Sequence, residues 1–426
     1  MIYIFIKLLI EAKMKQYIFL KKIVKTLFFS MLFFNVSALA EFNQDALNLK
    51  QSAEFNVWKD NFREIALQKG FDSDFLDQIL PQLTYLPKVI ISDTRQSEFL
   101  LTFWDYVNRV ISDKRIQTGK EMLKKHHNLL VKVSEKYGIQ PEILIAFWGL
   151  ETNYGTYKGN VDTLNALATL AFDKRRRTFF TKELLALLSV IETGEKTHFT
   201  GSWAGAFGNF QFMPTTYLAY AVDADGDNQK DIINSLPDAF ESAANYLSKM
   251  GWKKNQSWGT EVRITKRLNW NKINQSKTLP VKTWKEMGVF PANGKAWRQD
   301  YLAYQAHLVL PSGIDGPAFL VYPNYDLIMR WNNSTLYALS VGLLADKIKY
   351  KYAPIYKKPH QTSISRKDVK DIQKLLKEKG FYNDSIDGVL GKKTRQSIRA
   401  YQKTIKWDED GYPSKKLLLN LQKRKK

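Results

Sequence analysis

Apolar positions recur with a helical period over most of the chain. Between Asp45 and Lys136, Phe55, Trp58, Phe62, Ile65 and Ala66 share one stripe, and Phe99, Phe103, Tyr106, Val107 and Val110 share another. Both read as packing faces, although Tyr106 could also reach a cleft. Pro141 suits the first turn of a helix, where its missing N–H costs nothing. From there Leu144, Trp148 and Glu151 fall at i, i+4 and i+7, and Asn153 and Gly155 end the helix. Helix is expected again from Thr163 to Leu188, broken by Asp173-Lys174-Arg175-Arg176-Arg177, and through residues 239–247.

From Gly251 to Leu320 the texture changes. Val262-Arg263-Ile264 alternates as a strand does, with prolines and tryptophans scattered around it. A small β-containing insertion over about 252–330 is the expectation. Phe319–Tyr322 and Asp326–Trp331 read as strands, followed by a helix capped by Asn332 or Asn333 and running to about Ile348. Residues 352–365 carry prolines and lysines without periodicity, as a linker does. Beyond them Val369, Ile372, Leu375 and Leu376 mark one helix, Ile398, Tyr401 and Gln402 a second, and a short third ends at Leu421. Three helices in residues 366–426 make a module too small for a deep active site and suited to binding. The fold class is therefore mainly α, α+β.

Three stretches carry candidate chemistry. Glu151 closes an apolar stripe; desolvation there would raise its pKa and suit it to general acid work, whereas a solvated helix-end Glu would do nothing. Gly201–Pro214 interleaves small residues with Trp203, Phe207, Phe210 and Phe212 around Gln211. Either it lines a sugar site, glycines admitting the ligand and aromatics supplying ring faces, or it is a tight turn between helices. Gln211, polar among apolar neighbours, needs a partner in both cases. Asp223, Asp225, Asp227 and Asp231 stand at positions 1, 3, 5 and 9 of an EF-hand-like spacing. Gly226 sits at position 4 and Asn234 at position 12, so the match is imperfect, and Asp238 could replace the missing last ligand. A weak structural cation site is favoured over a bare acidic turn. Of the consecutive arginines at 175–177, at most two could line one pocket.

Composition narrows the partner. With 64 basic and 42 acidic residues the net charge is +22, which suits an anionic polymer, membrane or nucleic acid, or a merely solvated surface. The absence of cysteine excludes disulfides, thiolate chemistry and thiol lipidation. Lys21, Lys22 and Lys25, the apolar run Thr26–Phe34 and Ala38-Leu39-Ala40 form an export signal over residues 1–40, with Met14 as a second candidate start. Export makes a nucleic-acid role unlikely and places the protein, in soluble form, outside the cytoplasmic membrane. No membrane anchor is expected, and the chain is read as a monomer.

Together these pieces resemble the B-type lytic murein transglycosylases. The resemblance rests on Gly149–Gly155, Leu164–Leu170, Gly205–Pro214, the 223–231 loop and Arg330–Ser334 within a catalytic domain over 41–351. The tail resembles a peptidoglycan-binding module through Asp387–Gly391, Thr394 and Tyr401-Gln402. The resemblance implies a lysozyme-like helical core and, with no Cys to carry a lipid, a soluble periplasmic form. It makes Glu151 the sole acid/base, with Ser202, Gln211, Asn332 and Tyr337 holding the glycan; Tyr106, Arg175 and Arg176 carry over less well. It implies no cofactor for the chemistry, with a possible structural Ca²⁺ on Asp223, Asp225, Asp227, Asp231 and Asp238. An ordinary glycosidase needs two carboxylates; with one, the muramic 2-acetamido group and 6-hydroxyl must supply the rest, giving a 1,6-anhydro sugar. A hydrolytic muramidase and a non-catalytic wall-binding protein are the alternatives.

Overall fold

A computed structural model describes residues 51–94, 102–194, 197–270, 273, 278–350 and 364–423. The export signal, Phe99 and nearly all of the linker lie outside the described residues.

Residues 51–68 form a helix whose stripe buries Phe55, Phe62 and Ala66 but leaves Ile65 exposed. Phe55 meets Phe172 edge-on at 5.6 Å, pinning this helix to the end of helix Thr163–Phe172. At the centre lies helix Pro141–Thr152, with Pro141 in its first turn and Asn153 left-handed at its end (φ 50°). Seven consecutive residues, Ile143 to Gly149, are buried. The expected single stripe was too narrow: a helix apolar on all sides is enclosed on all sides. Helices Thr163–Phe172, Thr335–Lys349 and Leu236–Lys249 share this core.

The insertion is an antiparallel sheet of five strands in the order Leu279–Pro280, Gln305–Val309, Ala318–Val321, Gly259–Ile264, Val289–Pro291. Strand Ala318–Val321 is buried on both faces. Phe319 and Val321 point into the helical core, while Ala318 and Leu320 point into a second core with Val262, Trp284 and Val289. Period-two alternation thus makes one strand the seam between two cores.

One element was misread. Residues 326–331 belong to helix Pro323–Trp331, not a strand. Pro323 starts it, and Leu327, Ile328 and Trp331 recur at helical spacing. The cap of the next helix is Ser334, whose hydroxyl accepts from Tyr337 N, rather than Asn332 or Asn333.

The C-terminal module has helices Arg366–Glu378, Lys392–Thr404 and Lys415–Gln422 around Ile372, Leu376, Ile398 and Leu417. Two buried glutamines staple its turns: Gln373 accepts from Gly388 N at 2.8 Å and Gln402 from Gly411 N at 2.9 Å. The module leans on the insertion. Trp270 Nε1 donates to Asp408 (2.9 Å), Arg267 to Lys406 O (2.9 Å) and Ile314 N to Asp410 (2.9 Å).

Candidate active site

Glu151 is the last residue but one of its helix. Its Oε1 accepts from Trp331 Nε1 at 3.0 Å and from the Tyr337 hydroxyl. Trp331 ends helix Pro323–Trp331 and is boxed by Phe147, Tyr246 and Phe212 at 4.6, 5.1 and 5.5 Å between ring centres. Its indole N–H therefore has a fixed direction. Tyr337 is buried in the first turn of its helix, set by the Ser334 cap. With both donors on one oxygen, the carboxyl is half-buried and held by neutral groups. It can offer or take a proton without competing for an ion-pair partner in those two contacts.

The residues after Glu151 explain their own identities. Tyr154 (φ 60°) turns its ring back beneath Gly149, where a Cβ would lie 2.7 Å from the ring, and its hydroxyl donates to Arg115 O at 2.6 Å. Burial raises the Tyr154 pKa.

Gly201–Pro214 is a tight double turn, with Phe207 bridging to both Gly201 and Phe212. Phe207, Phe210 and Phe212 are buried in the core, so these rings are not free faces for a sugar. The stretch is thus the tight turn between helices: its aromatics pack, and its polar groups close the turn. Asn209, 1% exposed, had no assigned role in the sequence. It accepts from Trp148 Nε1 (3.0 Å) and donates to Ile232 O (3.1 Å) and Ile233 O (2.9 Å). Its backbone carbonyl accepts from Thr152 Oγ1 at 2.9 Å. Asn209 thus latches the end of the Glu151 helix to this turn. Only a general cue, a polar residue in an apolar run, marked it in the sequence.

Gln211 (φ 49°) finds its partners in Lys158 O and Gly208 O, both at 3.0 Å. Ser202 Oγ accepts from Ala206 N at 3.1 Å, closing the turn. Asn332 is half-buried, directly after Trp331. Tyr106 is buried, on the helix Phe103–Val110 that packs against Thr335–Lys349. Arg175 is engaged by Asp93 (2.9 Å) and Asp173 (3.0 Å), and Arg176 lies over the Phe180 ring at 4.7 Å. None of these arginine contacts involves Glu151.

The acidic loop divides. Carboxylate oxygens of Asp223, Asp225 and Asp227 lie within 4.8 Å of one another, a hard-oxygen set fitting a divalent cation. Asp231 and Asp238 do not join that cluster. Asp231 accepts from Ile233 N (3.0 Å), and Asp238, fully buried, accepts from Ala224 N (2.8 Å) and Asp231 N (2.7 Å). Burial raises the Asp238 pKa. These two carboxylates are spent on the loop's own amides.

Comparisons with known proteins agree with this architecture. Residues 54–346 match the transglycosylase SLT domain and residues 365–419 a putative peptidoglycan binding domain. The chain is 30% identical over 295 residues to the membrane-bound lytic murein transglycosylase B of Escherichia coli K12, covering 66% of this chain and 79% of that protein. Its structure resembles SltB3 of Pseudomonas aeruginosa in complex with NAG-anhNAM-pentapeptide, with TM-score 0.81 and 38% identity over 87% of this chain and 99% of that one. It also resembles the Escherichia coli lytic transglycosylase SLT35 in complex with calcium, with TM-score 0.57 and 27% identity over 68% and 92%. No described helix is long and apolar enough to cross a membrane. With residues 54–346 and the tail module both matched, the chain belongs to the lytic murein transglycosylase B family and is an enzyme of that family with a C-terminal peptidoglycan-binding domain.

Proposed function

We propose that this enzyme cleaves the β-1,4 bond between N-acetylmuramic acid and N-acetylglucosamine in the periplasm, with Glu151 as its single acid and base. The observation that carries the proposal is the carboxyl of Glu151, fixed through one oxygen by two neutral aromatic donors, Trp331 and Tyr337. Glu151 donates its proton to the glycosidic oxygen as the bond to muramic C1 breaks. The 2-acetamido oxygen shields the developing positive charge. Glu151, now a carboxylate, removes the proton of the muramic 6-hydroxyl, and O6 closes on C1. The proton given in the first step is regained in the second, and no water is consumed. Tyr337 and Trp331 hold the carboxylate in register through both steps, since a 1 Å error in such a site is expensive. Ser202, Gln211 and Asn332 orient the reacting ring.

The Asp223, Asp225 and Asp227 cluster would hold calcium in a structural role. This loop leads into Ile232 and Ile233, whose carbonyls bind Asn209, which in turn binds the Glu151 helix. The C-terminal module would add affinity for the insoluble wall. Digestion of intact sacculi followed by mass spectrometry tests the proposal: 1,6-anhydro products lighter by one water than reducing-end sugars are expected. Reducing-end sugars alone would instead mean a hydrolytic muramidase.

A further inference from the structure

Three successive residues beyond the Glu151 helix have positive φ: Asn153 at 50°, Tyr154 at 60° and Gly155 at 76°. Glycine adopts this left-handed backbone freely and asparagine with little difficulty, but a bulky tyrosine there is an outlier. Such a residue persists only where its surroundings overdetermine it. The backbone bonds of the turn are local. Trp148 O accepts from both Asn153 N and Tyr154 N (3.2 Å), and Thr152 O accepts from Tyr157 N (3.0 Å).

Helical spacing shows what this turn avoids. Had the right-handed helix continued, Tyr154 and Gly155 would stand three and four residues beyond Glu151, on its own face. Helical side chains lean toward the N-terminus, so the Tyr154 ring would lie over the carboxyl. Left-handed, the ring turns back to Gly149 instead. A second helix, Asp113–Lys125, builds the socket that receives it. Arg115 O accepts from the Tyr154 hydroxyl at 2.6 Å, and Arg115 Nη2 donates to Asn153 Oδ1 at 3.4 Å. One turn on, Gly119 leaves the hydroxyl its room: a Cβ there would lie 2.6 Å from that oxygen and 2.6 Å from Ile348 Cδ1. Trp148 closes the socket edge-on, 5.8 Å between ring centres. Tyr154 is 7% exposed, fixed by its side chain in a backbone conformation it would not adopt alone.

We propose that Tyr154 is a positioning residue for the reaction: locked in the Arg115–Gly119 socket, it holds the left-handed turn that keeps the Glu151 carboxyl uncovered and in register with Trp331 and Tyr337. That Glu151 is the acid and base being positioned rests on the function proposed above.

The test compares variants of the full chain on purified glycan strands. Tyr154→Phe keeps the ring and removes the fastening hydroxyl. Its kcat should fall about 10-fold with KM within about twofold of the parent's, the mark of a misplaced reacting group and not of lost binding. Gly119→Ala pushes on the same hydroxyl from a helix that does not carry Glu151, and should lower kcat likewise. Combined, the two should cost no more than the worse of them, because both act on one fastening. A purely structural role would lower each melting temperature while the folded protein kept the parent's kcat, and that result would overturn the proposal. So would a raised KM at unchanged kcat, or losses that multiply in the double variant. Should Tyr154→Phe fail to fold, Gly119→Ala carries the kcat measurement alone. Glu151→Gln, assayed alongside, separates the two claims. An active Glu151→Gln protein removes the acid and base role; an inert one beside a fully active Tyr154→Phe removes only the role of Tyr154.

Discussion

Trp331 places its indole nitrogen 3.0 Å from Glu151 Oε1, across 180 residues of sequence. The two side chains come from the ends of different helices, and four surrounding aromatic rings leave the indole no other direction. Trp331→Phe keeps most of the volume and removes the donor. It should lower kcat by about 10–100-fold with little change in KM, the scale of a misplaced general acid. The alkaline and acid limbs of the kcat profile should also move. An unchanged profile with raised KM would make Trp331 part of substrate binding instead.

Asn209 holds three side-chain hydrogen bonds inside the core. Asn209→Ala strands one indole N–H and weakens the hold on two carbonyls, so unfolding free energy should drop by about 3 kcal/mol. Denaturant titration measures it. A loss below about 1 kcal/mol would mean that the turn and the Glu151 helix are held together by other contacts.

Asp346 gives stability a pH dependence. Burial pushes its carboxyl up to about 7, with the Trp258 hydrogen bond acting the other way. In the unfolded chain the group ionises near the ordinary value of about 3.9. Between these two values the folded state binds the extra proton, so stability falls as pH rises through that window. Asp346→Asn cannot ionise, and its melting temperature should gain on the parent's between pH 5 and pH 8. Parallel curves would show that Asp346 titrates normally.

The cation cluster predicts a thermal effect linked to the latch. Calcium in excess over chelator should raise the melting temperature of the parent, by an amount that grows with the logarithm of its concentration. Asp225→Asn, which removes one carboxylate of the cluster, should abolish most of that rise. An equal rise in the variant would place calcium elsewhere.

The sequence discloses its helices wherever start and stop signals coincide with apolar spacing, as Pro141 and Asn153 do around Glu151. It misleads at residues 326–331, where the apolar run is short and the helix is marked by Pro323 and the spacing of Leu327, Ile328 and Trp331 alone. Phe207, Phe210 and Phe212 looked available for a sugar because burial depends on what packs around them, and Phe240 and Tyr217 lie far along the chain or past a turn. The same reason hid Trp331 and Asn209 as positioning groups: a hydrogen-bond partner 180 or 61 residues away leaves no local trace. Asp231 matched a ligand spacing and Asp238 stood in for the missing last ligand, yet their carboxylates satisfy backbone amides, a competition that spacing does not reveal.

The account turns on one carboxyl performing both proton transfers. Glu151→Gln retains the shape and the capacity to accept from Trp331 and Tyr337 but cannot exchange a proton. Purified Glu151→Gln should still bind sacculi and release no soluble fragments, while the parent releases 1,6-anhydro-muramyl products identified by mass. Anhydro products accumulating at a comparable rate from the Glu151→Gln protein would contradict the account.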